Sequence, residues 1–232
     1  MPDQHHKAVD EDLEQQMLAA IDAEIAAERA SRRRAPARLT GAVLLVGAVI
    51  AWIASLALMI DKMHLLANPG GSLGCDINPF ISCGSVMMTW QASAFGIPNM
   101  VLGLAGYAVM GTAGALLLGS VRLPRWFLGA QLAGIAFGFA FVHFLMLSAV
   151  FAIRALCPWC MVVWVATAPM FFVSLAFAVE ERMSGAAGGA VGSGGVSGLL
   201  RRWVLLTVCW YVLVALVILI AFWSQWMWML GL

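Results

Sequence analysis

Apolar residues occur along the chain in five long runs that contain no Asp, Glu, Lys or Arg. A transmembrane helix needs about 20 such residues, and every run reaches that length. The runs therefore predict an all-α membrane protein in which a four-helix transmembrane bundle is followed by a fifth, C-terminal transmembrane helix. The charge-free runs cover residues 39–60, 77–121, 126–153, 155–179 and 203–232.

One of these runs is too long for a single crossing, and a proline divides it. The run 77–121 contains the sequence FGIPN at 95–99, and proline is tolerated in the first turn of a helix. We therefore expect the second span from about Ile97 to Gly119, with 61–95 as a long loop that holds a short interfacial helix in its apolar second half. The other spans are predicted at about 40–60, 126–152, 158–179 and 203–225.

The segments between the runs divide the chain into four parts. Residues 1–38 form a polar arm with apolar residues at helical spacing, which predicts an amphipathic cytoplasmic helix that is either solvated or a docking surface. Residues 39–180 form the four-helix bundle, residues 181–202 a Gly/Ser-rich cytoplasmic linker, and residues 203–232 carry the fifth span. The apolar positions of the arm are Leu13, Met17, Leu18, Ile21 and Ile25.

The basic residues predict the orientation of the chain in the membrane. Only Lys62 and Arg154, of 13 Lys and Arg residues, fall on the side opposite to the N-terminal arm. Because cytoplasmic segments are enriched in basic residues, we expect a cytoplasmic N-terminus in an inner or plasma membrane, with the 61–95 loop on the periplasmic side. The first run follows a polar arm and is too long for a cleavable signal, so we expect it to remain as an anchor.

Composition narrows the class further. The chain is 62% hydrophobic and only 11% charged, whereas about a quarter of the residues in soluble domains are charged. The net charge of +1 gives no indication of a nucleic-acid partner, and we expect none.

The predicted topology places four of the five cysteines on the same side of the membrane. Cys75 and Cys83 lie in the 61–95 loop, and Cys157 and Cys160 lie where the fourth span begins. This is the oxidising side, where disulfides form and persist. Cys209 falls within the fifth span, and we expect it to be a small buried apolar residue.

The sequence CPWC at 157–160 places a dithiol at the start of a membrane helix. With Cys157 as the N-cap, Pro158 takes the first helical position, and Cys160 lies one turn further on, close enough for a disulfide. The free N–H groups of a helix N-terminus lower the pKa of a thiol. We expect Cys157 to face the aqueous edge and Cys160 to face the bundle, so that the pair passes electrons to a lipid-soluble acceptor such as a quinone.

Three motifs give the chain a resemblance to the vitamin K epoxide reductase family, in its bacterial disulfide-forming branch. They are CDINPFISCGSV in the loop, FGIPNMVLGLAGY at the second span and CPWC at the fourth, and the resemblance covers about 40–180. It implies that Cys160 reduces quinone, that Cys157 exchanges with Cys83, and that Cys75 exchanges with a substrate protein.

The same resemblance implies a quinone pocket and a redox partner. Asn99 matches the position that hydrogen-bonds a quinone carbonyl in the family, and Tyr107 and Trp164 match aromatic positions of the pocket. The best-known bacterial members carry a thioredoxin-like domain after a fifth helix, and this chain stops soon after that helix. We therefore expect a separate periplasmic thioredoxin-fold partner, whose electrons pass to menaquinone or ubiquinone and which supports disulfide formation in exported proteins.

Four alternatives stay open at this point. Four cysteines could hold zinc, although seven residues separate Cys75 from Cys83 and no histidine pair supports a metal. The chain could be a scaffold or transporter subunit with structural disulfides, although its only ionisable group at mid-membrane is His143, which we expect to hydrogen-bond a neighbour. It could reduce vitamin K itself. The disulfide-bond-formation protein B family is less similar, because there the C-x-x-C precedes the second pair.

Overall fold

The computed structural model describes residues 2–78, 80–121, 123–186 and 195–229. The described residues are predominantly helical and contain no β-strand, only two isolated bridges. In chain order the elements are α1 (Pro2–Ala67), α2 (Cys83–Met87), a 3-10 turn (Trp90–Ser93), α3 (Asn99–Leu118), α4 (Arg125–Leu147), a π-helical segment (Ser148–Ile153), α5 (Pro158–Ala186), α6 (Gly195–Ala221) and α7 (Trp223–Met229).

Five stretches of these helices are long and apolar enough to cross a membrane, which confirms the predicted all-α membrane bundle. Four of them begin and end within four residues of the predicted spans, whereas the first, at 33 residues, extends beyond the predicted 40–60 at both ends. The short helix expected in the second half of the loop is present as α2 and the 3-10 turn. The membrane-spanning stretches are Ala35–Ala67, Asn99–Leu118, Arg125–Ile153, Pro158–Glu180 and Arg201–Ala221.

Both polar regions contain more helix than a simple arm and linker. Helix α1 continues without a break from the arm into the first span, with Pro36 inside it. The apolar residues predicted to form a stripe on the arm are exposed. Helix α5 runs to Ala186 and α6 begins at Gly195, and the rest of the predicted linker, residues 187–194, lies outside the described residues. The boundaries of the four parts stay predictions.

Two glycines allow α1 and α3 to pack closely at the end of the bundle that is remote from CPWC. A Cβ atom on Gly41 would lie 2.7 Å from the carbonyl oxygen of Gly114, and one on Gly114 would lie 2.9 Å from that of Gly41. Small residues at such crossings let helix backbones approach one another in membranes, where packing rather than the hydrophobic effect drives helix association. This end of the α1–α3 pair is therefore held at backbone contact.

Helix α6 is docked on the bundle by two side-chain hydrogen bonds. The indole N–H of Trp210 donates to Nε2 of His143, 2.7 Å away, while Nδ1 of His143 lies 2.7 Å from the carbonyl oxygen of Phe139. The hydroxyl of Tyr211 donates to the carbonyl oxygen of Val165 at 2.6 Å. The prediction that His143 hydrogen-bonds a neighbour is confirmed, and its ring is the tautomer with the proton on Nδ1.

The expectation for Cys209 is wrong. Its side chain is exposed on the outer surface of α6 instead of buried in the bundle. Lipid-facing and core-facing positions of a membrane helix are both apolar, so composition could not separate them. Cys209 lies far along the chain from the cysteines at the CPWC end, and it takes no part in the site described below.

Candidate active site

Helix α5 begins where the CPWC motif predicts. Pro158 is the first helical residue, and the carbonyl oxygen of Cys157 accepts a hydrogen bond from the N–H of Met161 at 3.0 Å. Cys157 is thus the N-cap. A proline at the first helical position costs no hydrogen bond, because that N–H has no partner within the helix.

An isolated parallel bridge between Ile81 and Leu156 brings the loop to the start of α5. The N–H of Leu156 donates to the carbonyl oxygen of Phe80 at 2.8 Å, and the N–H of Ser82 donates to the carbonyl oxygen of Leu156 at 3.0 Å. The residue after Ser82 is Cys83, and the residue after Leu156 is Cys157. This register brings Cys83 beside Cys157, with 3.2 Å between their Sγ atoms.

The two loop cysteines, here called the loop pair, are joined by a disulfide between Cys75 and Cys83. Ser82 caps α2, with its hydroxyl oxygen accepting from the N–H of Ser85 at 3.1 Å. Cys83, the first residue of that helix, is fully buried. The helix N-terminus therefore fixes the inner sulfur of the loop pair against α5.

Asp76 ties this turn of the loop together. Its Oδ1 accepts hydrogen bonds from the hydroxyl of Ser82 at 2.7 Å and from the N–H of Gly84 at 3.0 Å, and its Oδ2 accepts from the N–H of Leu73 at 3.0 Å. Partial burial acts to raise the pKa of Asp76, but these hydrogen bonds outweigh it and hold the pKa below its usual value. The anionic carboxylate is the form that stabilises the loop.

The CPWC cysteines, here called the helix pair, are both free thiols. Cys157 is 1% exposed, so the expectation that it faces the aqueous edge is wrong. The loop covers Cys157, and its neighbour on that side is Cys83 instead of water. A hydrogen bond from the Cys160 thiol, with the N–H groups of Cys160 and Trp159, lowers the pKa of Cys157 although burial opposes this. Such a thiolate is the nucleophile in disulfide exchange.

Both thiols of the helix pair line a cavity of about 690 Å³ inside the bundle. Its volume suits a small-molecule ligand, and its walls are mostly apolar side chains from α3, α4 and α5. α2 and the 3-10 turn lie across it as a lid, through Val86, Met87, Gln91 and Ala92. The apolar second half of the loop therefore covers this cavity.

The cavity also reaches the lipid-facing surface between α3 and α4. Val109 and Phe137, which line it, are 58% and 61% exposed on the outside of the bundle. An apolar molecule in the membrane therefore has a lateral route to the helix pair. A second cavity, of about 610 Å³ between α1, α5 and α6, is lined by none of the cysteines.

The three residues predicted for a quinone pocket all line the same cavity. Trp164 is 4% and Tyr107 9% exposed. The hydroxyl of Tyr107 lies 2.7 Å from Oγ1 of Thr167, which itself donates to the carbonyl oxygen of Val163. Thr167 has no second proton, so Tyr107 is the donor between them. The sequence reasoning missed Thr167, which carries no motif of its own.

The amide of Asn99 holds the lid, and its expected hydrogen bond to a quinone carbonyl stays a prediction. Its Nδ2 donates to the carbonyl oxygen of Gln91 at 2.6 Å, and its Oδ1 accepts from the N–H of Ala94 at 3.3 Å. One N–H of the amide is left for other partners. Asn99 is thus a latch between α3 and the 3-10 turn as well as a cavity residue.

A carboxyl group beside the loop pair was also missed. Asp61 lies on α1, and its Oδ2 is 3.5 Å from Sγ of Cys75. Within the described residues, Asp61, Cys75 and Cys83 are the group whose side chains could hold a metal ion. Cys75 and Cys83 are joined in a disulfide, so neither provides a thiolate ligand while that bond is intact.

The end of α6 and the following α7 brace the loop from the other side. The guanidinium of Arg154 donates to the carbonyl oxygen of Ala221 at 3.3 Å and lies 5.9 Å from the ring centre of Phe222. The ring of Trp228 meets that of Phe80 edge-on, with 6.3 Å between centres. The end of α6 and α7 thus contact the segments on both sides of the Ile81–Leu156 bridge.

Comparison with known proteins identifies a family that matches the central part of the chain. The family model described as the Vitamin K epoxide reductase family matches residues 42–175. This is more than half of the chain, and it contains all seven residues predicted for the site. No curated protein matches the chain.

Proposed function

The chain belongs to the vitamin K epoxide reductase family and is a multi-pass membrane oxidoreductase, and from this premise we propose that it reoxidises a thioredoxin-fold partner and passes two electrons to quinone. The observation that carries the proposal is the distance of 3.2 Å between Sγ of Cys83 and Sγ of Cys157. At this distance a buried thiol is in contact with a sulfur of the disulfide. The activity would support disulfide formation in exported proteins.

Electrons would pass through two thiol exchanges before they reach the acceptor. A partner dithiol reduces the loop pair through a mixed disulfide at Cys75, and Cys83 is released as a thiolate. Cys83 then attacks Cys157, and the electron pair leaves on Cys160. Each step is attack by a thiolate on a disulfide sulfur. An oxidised loop pair beside a reduced helix pair is the arrangement expected once electrons have reached the helix pair.

The cavity beside the helix pair fits a quinone ring. A quinone bound there would accept two electrons and two protons. Cys160 lines the cavity and would deliver the electrons, while the remaining N–H of Asn99 would donate to a carbonyl oxygen. Tyr107, whose hydroxyl proton is donated to Thr167, would form part of the wall. The apolar walls and the lid would exclude water, which strengthens such hydrogen bonds. Menaquinone and ubiquinone both suit these walls.

The location and partner are part of the same proposal. The excess of basic residues on the arm side supports a cytoplasmic N-terminus in the inner or plasma membrane. The loop pair then faces the periplasm, where a separate thioredoxin-fold protein would dock on Cys75. Reduction of vitamin K or its epoxide would use the same cavity and thiols, and is the second candidate.

A non-enzymatic scaffold is less well supported. A scaffold needs disulfides that persist, and the free helix pair lies within exchange distance of the one disulfide. A thiolate of the helix pair could attack the Cys75–Cys83 disulfide, so that disulfide would not persist.

Quinone reduction by the purified full-length protein tests the proposal. A reduced thioredoxin-fold donor is mixed with the protein in lipid nanodiscs, and loss of quinone absorbance is followed. Cys160→Ala should abolish turnover, and the matched Cys209→Ala should leave it unchanged because Cys209 lies outside the site. Full turnover by Cys160→Ala would rule the scheme out.

A further inference from the structure

The carboxyl group of Asp61 lies in direct contact with Cys75, the sulfur that the proposed donor attacks. Its Oδ2 is 3.5 Å from Sγ of Cys75, and the carboxyl oxygen and the sulfurs of Cys75 and Cys83 all lie within 4.8 Å of one another. Asp61 is half-buried on α1, and it lies 14 residues before Cys75 in the chain. The contact is therefore made by the fold and not by neighbouring positions in the sequence.

The chemistry of the two partners determines where a proton must be. A disulfide sulfur carries no proton, so the contact is a hydrogen bond only when the carboxyl group is protonated. When the disulfide is reduced, the Cys75 thiol has a proton that the carboxylate can accept. The Asp61 carboxylate is therefore an acceptor, 3.5 Å away, for the proton that Cys75 loses on oxidation.

The geometry points to Asp61 as the catalytic base and acid that takes the proton of Cys75 when the loop disulfide forms and returns it when that disulfide is reduced. This inference rests on the proposed exchange between the two pairs. It adds a residue that the family match does not assign and that the sequence motifs do not include.

The step that needs a base is the closure of the loop disulfide. After Cys83 has attacked Cys157, those two sulfurs are bonded and the Cys160 thiolate holds the first electron pair. The Cys75 proton moves to the Asp61 carboxylate, and the Cys75 thiolate attacks Cys83. The Cys83–Cys157 bond breaks, its electron pair leaves on Cys157, and the Cys75–Cys83 bond forms. Asp61 then holds the proton that Cys75 gave up.

The step that needs an acid is the reduction of the loop pair by its donor. The donor thiolate attacks Cys75 and Cys83 leaves as a thiolate. The second donor thiolate then attacks the donor sulfur of the mixed disulfide, and Cys75 leaves with the electron pair. The proton on Asp61 passes to this leaving thiolate, and the donor departs as a disulfide.

The surroundings of Asp61 connect it to both pairs. The charged groups that act on it are His64, one turn further along α1, and Asp76 in the loop, and the indole of Trp159 in CPWC also interacts with its carboxyl. The Asp61 charge acts on Cys157 as well. Lys62, the neighbouring residue, is directed elsewhere and donates to the carbonyl oxygen of Met87 at 2.9 Å.

The test measures electron transfer from the loop pair to the helix pair without a quinone. Full-length protein with both pairs oxidised is mixed with dithiothreitol across a range of pH, and thiols are trapped with N-ethylmaleimide at intervals. Mass spectrometry then gives the rate at which the Cys157 thiol appears, because Cys157 is released only when Cys75 attacks Cys83, whereas Cys160 is free before that step. A Cys83→Ala variant measures any direct reduction of the helix pair, which is subtracted.

We expect Asp61→Asn to slow this transfer about 100-fold near neutral pH, a typical loss for a general base. The rate of the variant should then rise about tenfold for each pH unit, because hydroxide replaces the carboxylate until Cys75 reaches the ordinary thiol pKa of about 8.5. Asp61→Glu should recover part of the rate at neutral pH. At dithiothreitol concentrations high enough that the donor step no longer limits the reaction, the wild-type rate should depend much less on pH over the same range.

A matched variant and a second measurement separate a catalytic from a structural role. Asp76→Asn removes the other carboxylate near the loop pair, and it should change the rate without introducing the steep pH dependence. Asp61→Asn that matches wild type at every pH, or that is slowed equally at every pH, would overturn the inference.

Single-turnover reduction of ubiquinone-1 by fully reduced protein tests the quinone step by itself. Asp61→Asn should match wild type here, which also shows that it is folded. If the wild-type protein does not reduce ubiquinone-1, the proposed function is contradicted. The inference about Asp61 is then decided by the transfer measurement alone.

Discussion

Sγ of Cys83 and Sγ of Cys157 lie 3.2 Å apart, although 74 positions separate the two residues in the chain. The contact depends on the Ile81–Leu156 bridge, which places the residue after Ser82 beside the residue after Leu156. Two redox pairs on different elements thereby become a single path. The first prediction follows from that contact.

A variant that keeps only these two cysteines at the site should form a disulfide between them. With Cys75→Ala and Cys160→Ala combined, neither sulfur has another partner, so mild oxidation should give the Cys83–Cys157 bond in nearly all molecules. Peptide mapping by mass spectrometry identifies it. The matched pair Cys83→Ala with Cys160→Ala leaves Cys75 and Cys157, and should stay mostly reduced. Equal cross-linking in both would contradict the described register.

The Cys157 thiolate should persist to lower pH than that of an ordinary thiol, whose pKa is about 8.5. The hydrogen bond from Cys160 is the main cause of the lowered pKa, so Cys160→Ala should raise the pKa toward the ordinary value. The thiolate form is lost, and exchange with Cys83 slows, as the pH falls through the folded-state pKa.

Ultraviolet thiolate absorbance of the fully reduced protein, with Cys157→Ala as the blank, measures this titration. Cys209→Ala serves as the control and should leave the midpoint in place. A midpoint unaffected by removal of Cys160 would show that the Cys160 thiol does not stabilise the thiolate.

Asn99→Ala should open the lid even when no quinone is present. It removes the hydrogen bonds to Gln91 and Ala94, each worth about 1 kcal/mol, so we expect the KM for quinone to rise about tenfold. Alkylation of Cys157 by iodoacetamide without quinone should also become faster. Thr112→Ala is the control on the same helix, because its hydroxyl bonds only to the carbonyl oxygen of Ala108 on an exposed face. Alkylation at the wild-type rate would mean that Asn99 does not act as a latch.

Trp210→Phe should loosen the fifth span. It removes the indole donor from Nε2 of His143, and such bonds between membrane helices contribute about 0.6 kcal/mol on average, with a maximum near 1.7. Thermal unfolding in detergent measures the loss. Trp203→Phe is the matched control, because the buried indole N–H of Trp203 has no hydrogen-bond partner within the described part of the chain. Equal losses in the two variants would remove the hydrogen bond as the cause.

Local signals in the sequence were sufficient for the spans and for the start of α5. Charge-free runs define spans because the membrane excludes charge, and Pro158 marks a helix start because of its missing N–H. These features depend on neighbouring residues only, and apart from the longer first span the structure has them within a few positions of the prediction.

The burial of Cys157 and the place of Asp61 could not be predicted in this way. Cys157 is covered because the Ile81–Leu156 bridge joins segments distant in sequence, and no local pattern encodes that pairing. In the sequence, Asp61 is the first charged residue after the run 39–60, and no motif marks it as functional. Only the fold of the loop brings Cys75 to it.

The lateral opening of the cavity between α3 and α4 has a consequence for the range of acceptors. A quinone can leave its isoprenoid tail among the acyl chains of the bilayer while its ring lies beside Cys160. Selection would then act on the head group alone, and isoprenologues of different tail length should serve equally well. A cell that changed the number of prenyl units in its pool would need no compensating substitution in this protein.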